Sequence, residues 1–390
     1  MPRPPHTSPT ARQLSDRIFS ELVARARARE GPVFPLHVGD TWLEPLESAR
    51  CEALSTQAHP GLHQYAPVQG DPSLLQAITN RVQVRYGITL DPMYVQVMSG
   101  GTSGLSVVAS ALLDPGDEVL LPSPYWPLIR GIVAARGAVA VQVPFYTRLG
   151  EPGFDPEAAL EARVTPRTVA LYVNTPNNPT GRVLPRGALD ALERVALRHD
   201  LWVLTDEAYE DLHFTPAAEP PFWARPSLRE RAVATHTLSK GYGLAGLRVG
   251  FTHGPPSALG AIRAAQTFQT YCASRPSQVA AGRALREGEA WVSRARALYQ
   301  AAGARAAEVF GVPAPEAGTF LFVPVGRWLR EGEGDCSGFL GRCLDAGVLL
   351  TPGTACGEDF TEYVRLCFTA VPPEALEEAL GALSAVLREG

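Results

Sequence analysis

The sequence is defined first by what it goes without. No apolar run approaches the roughly 20 residues that a membrane helix needs; the longest are strand-length, so no membrane span is expected. Strong charge of one sign is missing too: the net charge is −5, with acids and bases interspersed, which argues against nucleic acid or an anionic membrane as the main partner. Six cysteines (Cys51, Cys272, Cys336, Cys343, Cys356 and Cys367) form no CxxC pair and no metal-ligand spacing, so no metal is expected. Residues 1–20 lack the apolar run of a secretory signal, and the cysteines then read as reduced, mostly packing residues of a cytoplasmic protein. That segment has no acid before Asp16, faintly like a transit peptide, but Pro2, Pro4, Pro5 and Pro9 oppose an amphipathic helix, and a frayed tail is expected. Scarcest of all is lysine: among 35 basic residues, Lys240 is the only one.

What is present suits two domains: 390 residues, 45% of them hydrophobic, exceed one ordinary core. Ser15 to Arg29 reads as a charged amphipathic helix, Val33–Val38 as a short strand, and Pro72 to Tyr86 as a helix on the spacing of Leu74, Leu75, Ile78, Val82 and Val84. Strand-length apolar runs follow at Tyr94–Met98, Glu118–Leu121, Val139–Val143, Thr168–Val173, Leu201–Thr205 and Ala232–Thr237. Helical stretches alternate with them at Leu105–Leu113, Arg186–Arg198 and Pro256–Thr270, which implies an α/β fold with a mainly parallel sheet between helices. A long Ala/Arg-rich helix at Arg283–Phe310 then leads into short strands at Phe320–Val323, Val348–Leu350 and Val364–Phe368 and a last helix at Pro373–Arg388. The expected division is an N-terminal arm over 1–45, a large domain over 46–285 and a smaller α+β domain over 286–390, the arm helping to complete the latter.

In an open parallel sheet, ligands gather beyond the carboxyl ends of the strands, and several polar signatures fall there. Gly100-Gly101-Thr102-Ser103-Gly104 follows a strand and opens a helix, where glycines allow close backbone approach and the free N–H groups favour a phosphate; a plain turn would also use glycine. Asn174-Thr175-Pro176-Asn177-Asn178-Pro179-Thr180-Gly181 is a proline-stiffened turn able to present the Asn178 amide. Asp206, with Tyr209 just beyond, ends an apolar strand; its carboxylate serves either as a helix cap or as partner to a protonated ring nitrogen. Lys240 follows another strand in Thr237-Leu238-Ser239-Lys240. A lysine retained in so arginine-rich a chain points to chemistry that guanidinium cannot perform, because an amine can deprotonate and form an imine. Gly241-Tyr-Gly243-Leu-Ala-Gly246 fits the dinucleotide fingerprint GxGxxG, but Leu247–Phe251 reads as a strand and no acid occurs between Leu247 and Arg286, so that reading fails.

Together these residues resemble the class I/II aminotransferases of the aspartate aminotransferase superfamily, pyridoxal 5'-phosphate enzymes of fold type I, from about Val38 to the last helix. The resemblance implies that Lys240 forms the internal aldimine and shuttles the substrate proton, and that Asp206 keeps the pyridine nitrogen protonated. It implies that Asn178 and Tyr209 hydrogen-bond the ring's phenolic oxygen and that Trp126, ahead of its neighbour Tyr125, stacks on the ring. Gly101, Thr102, Thr237, Ser239 and Arg248 would hold the phosphate. Tyr65 would reach the phosphate of the other subunit, which implies a homodimer. Arg365 would grip the substrate α-carboxylate in a bidentate pair, helped by the Gly39 backbone. Taken singly, Arg248 and Arg365 are surface ion-pair residues and Trp126 is core; their joint order around a lone lysine gives them these roles.

The activity implied is transfer of the amino group of an L-amino acid to a 2-oxo acid by way of pyridoxamine phosphate. Alternatives are a lyase or cyclase of the same fold, such as a C–S β-lyase, and a non-catalytic protein of that fold. Two departures from the family bear on specificity. Asp40-Thr41-Trp42 follows Gly39 in place of the usual proline, and Arg275 stands where smaller or amide residues are usual, placed for a partner's phosphate, a second substrate carboxylate or a plain ion pair. No second arginine of the dicarboxylate-specific kind is identifiable.

Overall fold

The computed structural model describes residue 5 and residues 7–14, 20–216 and 219–389. Its larger sheet contains β1 (Val95–Met98), β2 (Glu118–Ser123), β3 (Val139–Pro144), β4 (Thr168–Asn174), β5 (Trp202–Asp206), β6 (Ala232–Thr237) and β7 (Gly250–His253), in the spatial order β1-β7-β6-β5-β4-β2-β3. Strands β3, β2, β4, β5 and β6 run parallel, and β7 is antiparallel to both β6 and β1. A smaller antiparallel sheet is built from β8 (Phe320–Pro324), β9 (Thr351–Pro352) and β10 (Tyr363–Cys367), with β10 in the middle. The helices are α1 (Pro9–Gln13), α2 (Ser20–Ala28), α3 (Pro72–Tyr86), α4 (Gly101–Leu112), α5 (Pro127–Ala134), α6 (Pro156–Glu161), α7 (Arg186–Arg198), α8 (Pro256–Gln269), α9 (Arg275–Glu287), α10 (Glu289–Phe310), α11 (Ser337–Asp345) and α12 (Pro373–Glu389). Among the described residues no helix is long and apolar enough to cross a membrane.

The strands of the large sheet are apolar on both faces because both faces are covered. Leu120, Leu171, Val173, Val203 and Ala234 pack with Leu189, Leu192 and Val195 of α7 on one side. Their neighbours Val119, Leu121, Ala170, Tyr172, Leu204 and Val233 pack with Leu105 and Val108 of α4, Ile129 of α5 and Ile262 of α8 on the other. This strict alternation is the period-two geometry of a strand. The small sheet shares a core with α10, α11 and α12, which also takes in Leu36 and Leu43 from the N-terminal segment and Tyr209 and Leu212 from the turn after β5. Residues flanking the cleft therefore belong to the packing of both sheets.

Local chemistry sets several boundaries. Helix α3 begins with a proline in its first turn after the capping carboxylate of Asp71, which accepts from Ser73 N at 3.0 Å, and ends at Gly87 with φ 70°. Four sequence expectations need correction. Val33–Val38 is not a strand: only Phe34 bridges to Val348, since Pro35 has no N–H to give a ladder. The second strand of the small sheet lies at Thr351–Pro352 rather than Val348–Leu350. Arg283–Phe310 is not one helix, because the chain bends at Gly288 (φ −87°, ψ 0°) between α9 and α10. In the proline-rich start, Pro9 opens the short helix α1, capped by Ser8, whose Oγ accepts from Ala11 N at 3.1 Å. The helix expected over Ser15–Arg29 is seen as Ser20–Ala28, its first five positions lying outside the described residues, as do Met1–Pro4. Helices α5, α6 and α11 were not anticipated by the hydrophobic pattern.

Candidate active site

Strands β4, β5 and β6 end at Asn174, Asp206 and Thr237, and a cleft of about 200 Å³ opens beyond them. Twelve of the thirteen residues singled out in the sequence line it: Gly39, Gly101, Thr102, Trp126, Asn178, Asp206, Tyr209, Thr237, Ser239, Lys240, Arg248 and Arg365. The exception is Tyr65, 79% exposed, which packs edge-on against Tyr271 at 5.0 Å in a separate surface groove with Arg275.

One end of the cleft has the makings of an anion cradle. Helix α4 starts there, with Gly100 as its cap at φ 87°. A side chain at Gly100 would meet the Arg248 guanidinium at 2.6 Å, so glycine is required for the arginine to lie against the helix start. Arg248 itself has φ 51° and donates from Nη1 to Ala245 O at 2.8 Å. The hydroxyls of Thr237 and Ser239 lie 2.9 Å apart beside it. Free N–H groups of a helix start, two hydroxyls and a guanidinium form the donor set that a phosphate monoester requires.

In the middle stands Lys240. Its ammonium donates to Gly39 O, and burial holds its pKa below the ordinary lysine value. Opposite, Asp206 is 7% exposed; burial raises its pKa, while Tyr172, donating to Oδ2 at 2.7 Å, and Ala208 N, donating to Oδ1 at 3.2 Å, favour the charged form. Asn178 donates to the Tyr209 hydroxyl at 3.0 Å, and its own N–H is fixed by Asn174 Oδ1 at 2.8 Å. The Asn174 amide in turn donates to Asp206 O at 2.9 Å, tying the turn after β4 to the end of β5. Burial pushes the Tyr209 phenol well up, so it keeps its proton.

At the other end, Arg365 on β10 is 5% exposed. Nη1 donates to Asn178 Oδ1 at 3.2 Å, and Nη2 donates to His37 O at 3.1 Å and Thr351 Oγ1 at 3.3 Å. Its Nε is buried without a hydrogen-bond partner, and no carboxylate neutralises it within salt-bridge distance among the described residues. The Phe320 ring lies 4.4 Å below the guanidinium and 6.2 Å from the Tyr209 ring. A Cβ at Gly39 would strike that phenyl ring at 2.6 Å, which explains glycine at this position. A buried arginine without an anion is held ready for one.

The sequence reading missed Leu105, Ala208, Ala245 and Phe320 on the cleft wall and Tyr172 beneath it. The first four are ordinary apolar residues whose only distinction is tertiary. Tyr172 did carry a signal, since strand alternation puts it on the same face as Asn174.

The residues present fit pyridoxal phosphate: an anion cradle, an amine whose pKa burial lowers, a buried carboxylate and a spare arginine line one pocket in that order. Comparison with known proteins agrees. The sequence pattern of the family "Aminotransferase class I and II" matches residues 32–383. The chain is 34% identical over 350 residues to an aspartate/prephenate aminotransferase of Thermus thermophilus, covering 84% of each. It is 31% identical over 358 residues to an arginine–pyruvate transaminase of Pseudomonas aeruginosa, covering 88% of this chain and 87% of that one. A solved single mutant of Thermus thermophilus aspartate aminotransferase superposes with a TM-score of 0.87 at 29% identity, over 98% of this chain and 100% of the other. Sequence pattern, relatives and fold converge over nearly the same span, and the chain belongs to the class I and II aminotransferases, enzymes that move an amino group from an amino acid to a 2-oxo acid.

Proposed function

We propose that this aminotransferase binds pyridoxal 5'-phosphate in the cleft beyond β4–β6, through the residues assembled there, and uses it on an amino donor with a neutral side chain. The observation that carries the reading is the chain's only lysine, half-buried and held below its ordinary pKa at the centre of that cleft. When bound, the cofactor supplies an aldehyde that takes up the amino group and a protonated ring that draws electrons from the substrate Cα.

The protein does the rest. Gly101 and Thr102 at the start of α4, with Thr237, Ser239 and Arg248, hold the phosphate. Asp206 accepts from the ring N–H, and Asn178 and Tyr209 donate to the phenolic oxygen. Trp126, at the start of α5, covers the ring face. Lys240 attaches the cofactor, and its amine, once released, carries the proton to and from Cα. Arg365, which lines the cleft with no carboxylate partner among the described residues, takes the α-carboxylate next to the Gly39 backbone.

With Lys240, Trp126, Arg248 and Arg365 thus occupied, the remaining apolar wall is Leu105, Ala208, Ala245 and Phe320, which suits an apolar or aromatic side chain. That would set this chain apart from the aspartate/prephenate and arginine–pyruvate relatives. Tyr65 is too exposed to serve its own cleft, and we place it in the cleft of a second copy, so that the enzyme works as a homodimer. We divide the chain into an arm over 1–45, a large domain over 46–285 and a small domain over 286–390; the bend at Gly288 and the core shared by Leu36, Leu43 and the small sheet support that division. The six cysteines are free thiols, as a reducing cytoplasm keeps them, and we place the enzyme there.

The test is a half-reaction. Loaded enzyme given an apolar amino acid alone should release one equivalent of 2-oxo acid per site, stop, and resume when a 2-oxo acid is added. Continuous release of ammonia with the oxo acid would mean elimination instead, and failure to take up the cofactor would overturn the assignment of the cleft.

A further inference from the structure

Asp206 faces a difficulty that the residues so far assigned do not resolve. It ends β5 in a buried position, and burial disfavours its charged form. A neutral carboxylic acid there would give a protonated ring nitrogen no charge to pair with. Elsewhere in this protein buried carboxylates sit in ion pairs with arginine: Arg81 Nη1 pairs with Glu210 Oε1 at 3.2 Å, and both Arg81 and Arg85 pair with Asp211. No arginine, lysine or histidine forms an ion pair with Asp206 among the described residues; its side-chain partner is the phenol of Tyr172, at 2.7 Å from Oδ2.

We propose that Tyr172 is a positioning residue for the transamination reaction, keeping the Asp206 carboxylate charged and in one orientation without neutralising it. The inference rests on Asp206 being the partner of the cofactor's ring nitrogen. Tyr172 lies on β4 opposite Leu204 of β5, and the pleat returns to its face two residues on, at Asp206. The side chain is 1% exposed and packed among the apolar residues of the α4 side of the sheet. Burial, then the Asp206 charge, drives its phenol well above the ordinary tyrosine value, so it stays a donor at every working pH.

The other polar groups nearby do not supply this bond. Tyr146 donates to Asn174 O at 2.8 Å, Tyr209 accepts from Asn178, and His236 Nδ1 is taken by Glu210 Oε1 at 2.8 Å. Glu207, next in sequence, is itself buried and driven toward its neutral form by burial and by Glu210. A neutral donor suits the task better than an arginine would. An arginine would cancel the carboxylate's charge and compete with the ring nitrogen for it, whereas a phenol strengthens the charge and leaves it to be used. If only packing were required at 172, phenylalanine would fill the same space without a hydroxyl to satisfy.

The experiment compares wild type, Tyr172→Phe and Asp206→Ala, each as full-length protein loaded with pyridoxal phosphate labelled with nitrogen-15 in the ring. The nitrogen resonance should move toward its unprotonated position in Tyr172→Phe and further in Asp206→Ala. In Tyr172→Phe, kcat should fall by about tenfold or more, the order expected for a hydrogen bond to a charged group, while KM for the donor changes by less than about threefold. The melting temperature of cofactor-free Tyr172→Phe reports on folding separately. A lower melting temperature with an unmoved nitrogen signal would make Tyr172 merely structural and overturn the inference. An unmoved signal in Asp206→Ala would instead overturn the placement of Asp206 on which it stands. Should Tyr172→Phe yield too little folded protein, Tyr172→Met, which also lacks the hydroxyl, is read by the same nitrogen shift.

Discussion

The turns after β5 and β6 carry two sets of buried charges, interleaved in sequence and partnered in opposite ways. Asp206, Tyr209, Thr237 and Lys240 face the cleft. Glu210, Asp211 and His236, each adjacent to or near one of them in sequence, belong to a separate network with α3. There Glu210 accepts from Arg81 at 3.2 Å, from His236 Nδ1 at 2.8 Å and from the Tyr86 hydroxyl at 2.6 Å. Arg81 Nε also donates to the Tyr242 hydroxyl at 3.1 Å, and His236 Nε2 lies 3.0 Å from His253 Nε2. Burial works against the charge on Glu210, but Arg81 and His236 outweigh it and hold its pKa well below the carboxylate range. In the cleft the balance runs the other way: Lys240 has one carbonyl partner, Arg365 has an idle Nε, and burial pushes both Lys240 and Asp206 toward neutrality. Saturated charges fix the turns; unsaturated charges on the same turns are left for ligands.

The largest way to break this contrast is to preserve charge and remove chemistry. Lys240→Arg keeps a cation in the cleft but has no amine that can deprotonate or attach the cofactor. The half-reaction should slow by about 10²–10⁴-fold or more, as loss of a positioned acid–base group does, and the visible absorption of the loaded protein should disappear. Near-normal turnover in that variant would mean that position 240 contributes only its charge. The scaffold network should respond in stability instead. Arg81→Met leaves Glu210 and Asp211 short of a buried partner, and breaking such a pair costs about 3–5 kcal/mol, read as a shift of the denaturant midpoint. The fraction that remains folded should still complete the half-reaction.

Much of the cleft was legible in the sequence because its chemistry is local. Each of Gly101, Asn178, Asp206 and Lys240 sits at a strand end recognisable from an apolar run, and the rule that ligands gather there does not depend on strand order. The scaffold network was not legible. Arg81 and Glu210 are separated by 129 positions, and nothing in either neighbourhood distinguishes a buried ion pair from two solvated helix charges. Phe320 was hidden for a similar reason: its ring reaches Arg365 through the pairing of β8 with β10, a tertiary register. The bend at Gly288 was missed because alanine and arginine on both sides favour helix and outvote one glycine. Val33–Val38 was read as a strand on its apolar content, against the veto of Pro35.

The smallest expected effect is in the pH dependence of cofactor-free protein, and it sharpens the contrast furthest. Asp206 has a folded pKa raised above its ordinary 3.8, so above that pH the folded state holds protons that the unfolded chain has released. Its contribution to stability is present below 3.8 and is lost as pH rises through the folded value. Lys240 has a folded pKa lowered from 10.5, so its contribution is present above 10.5 and is lost as pH falls through the folded value. Both therefore weaken the empty protein near neutrality. Glu210, depressed below 4.5, does the reverse: its contribution is present above 4.5 and lost only as pH falls through the folded value. At pH 7, Asp206→Asn and Lys240→Met should each stabilise cofactor-free protein by about 1 kcal/mol, whereas Glu210→Gln should destabilise it. Denaturant midpoints across the pH range check this: the first two variants should flatten one limb each of the stability curve, and the third should remove the acid limb. If Asp206→Asn instead weakens the empty protein as Glu210→Gln does, Asp206 is a scaffold residue, and the two sets of charges are one network that happens to border a cleft.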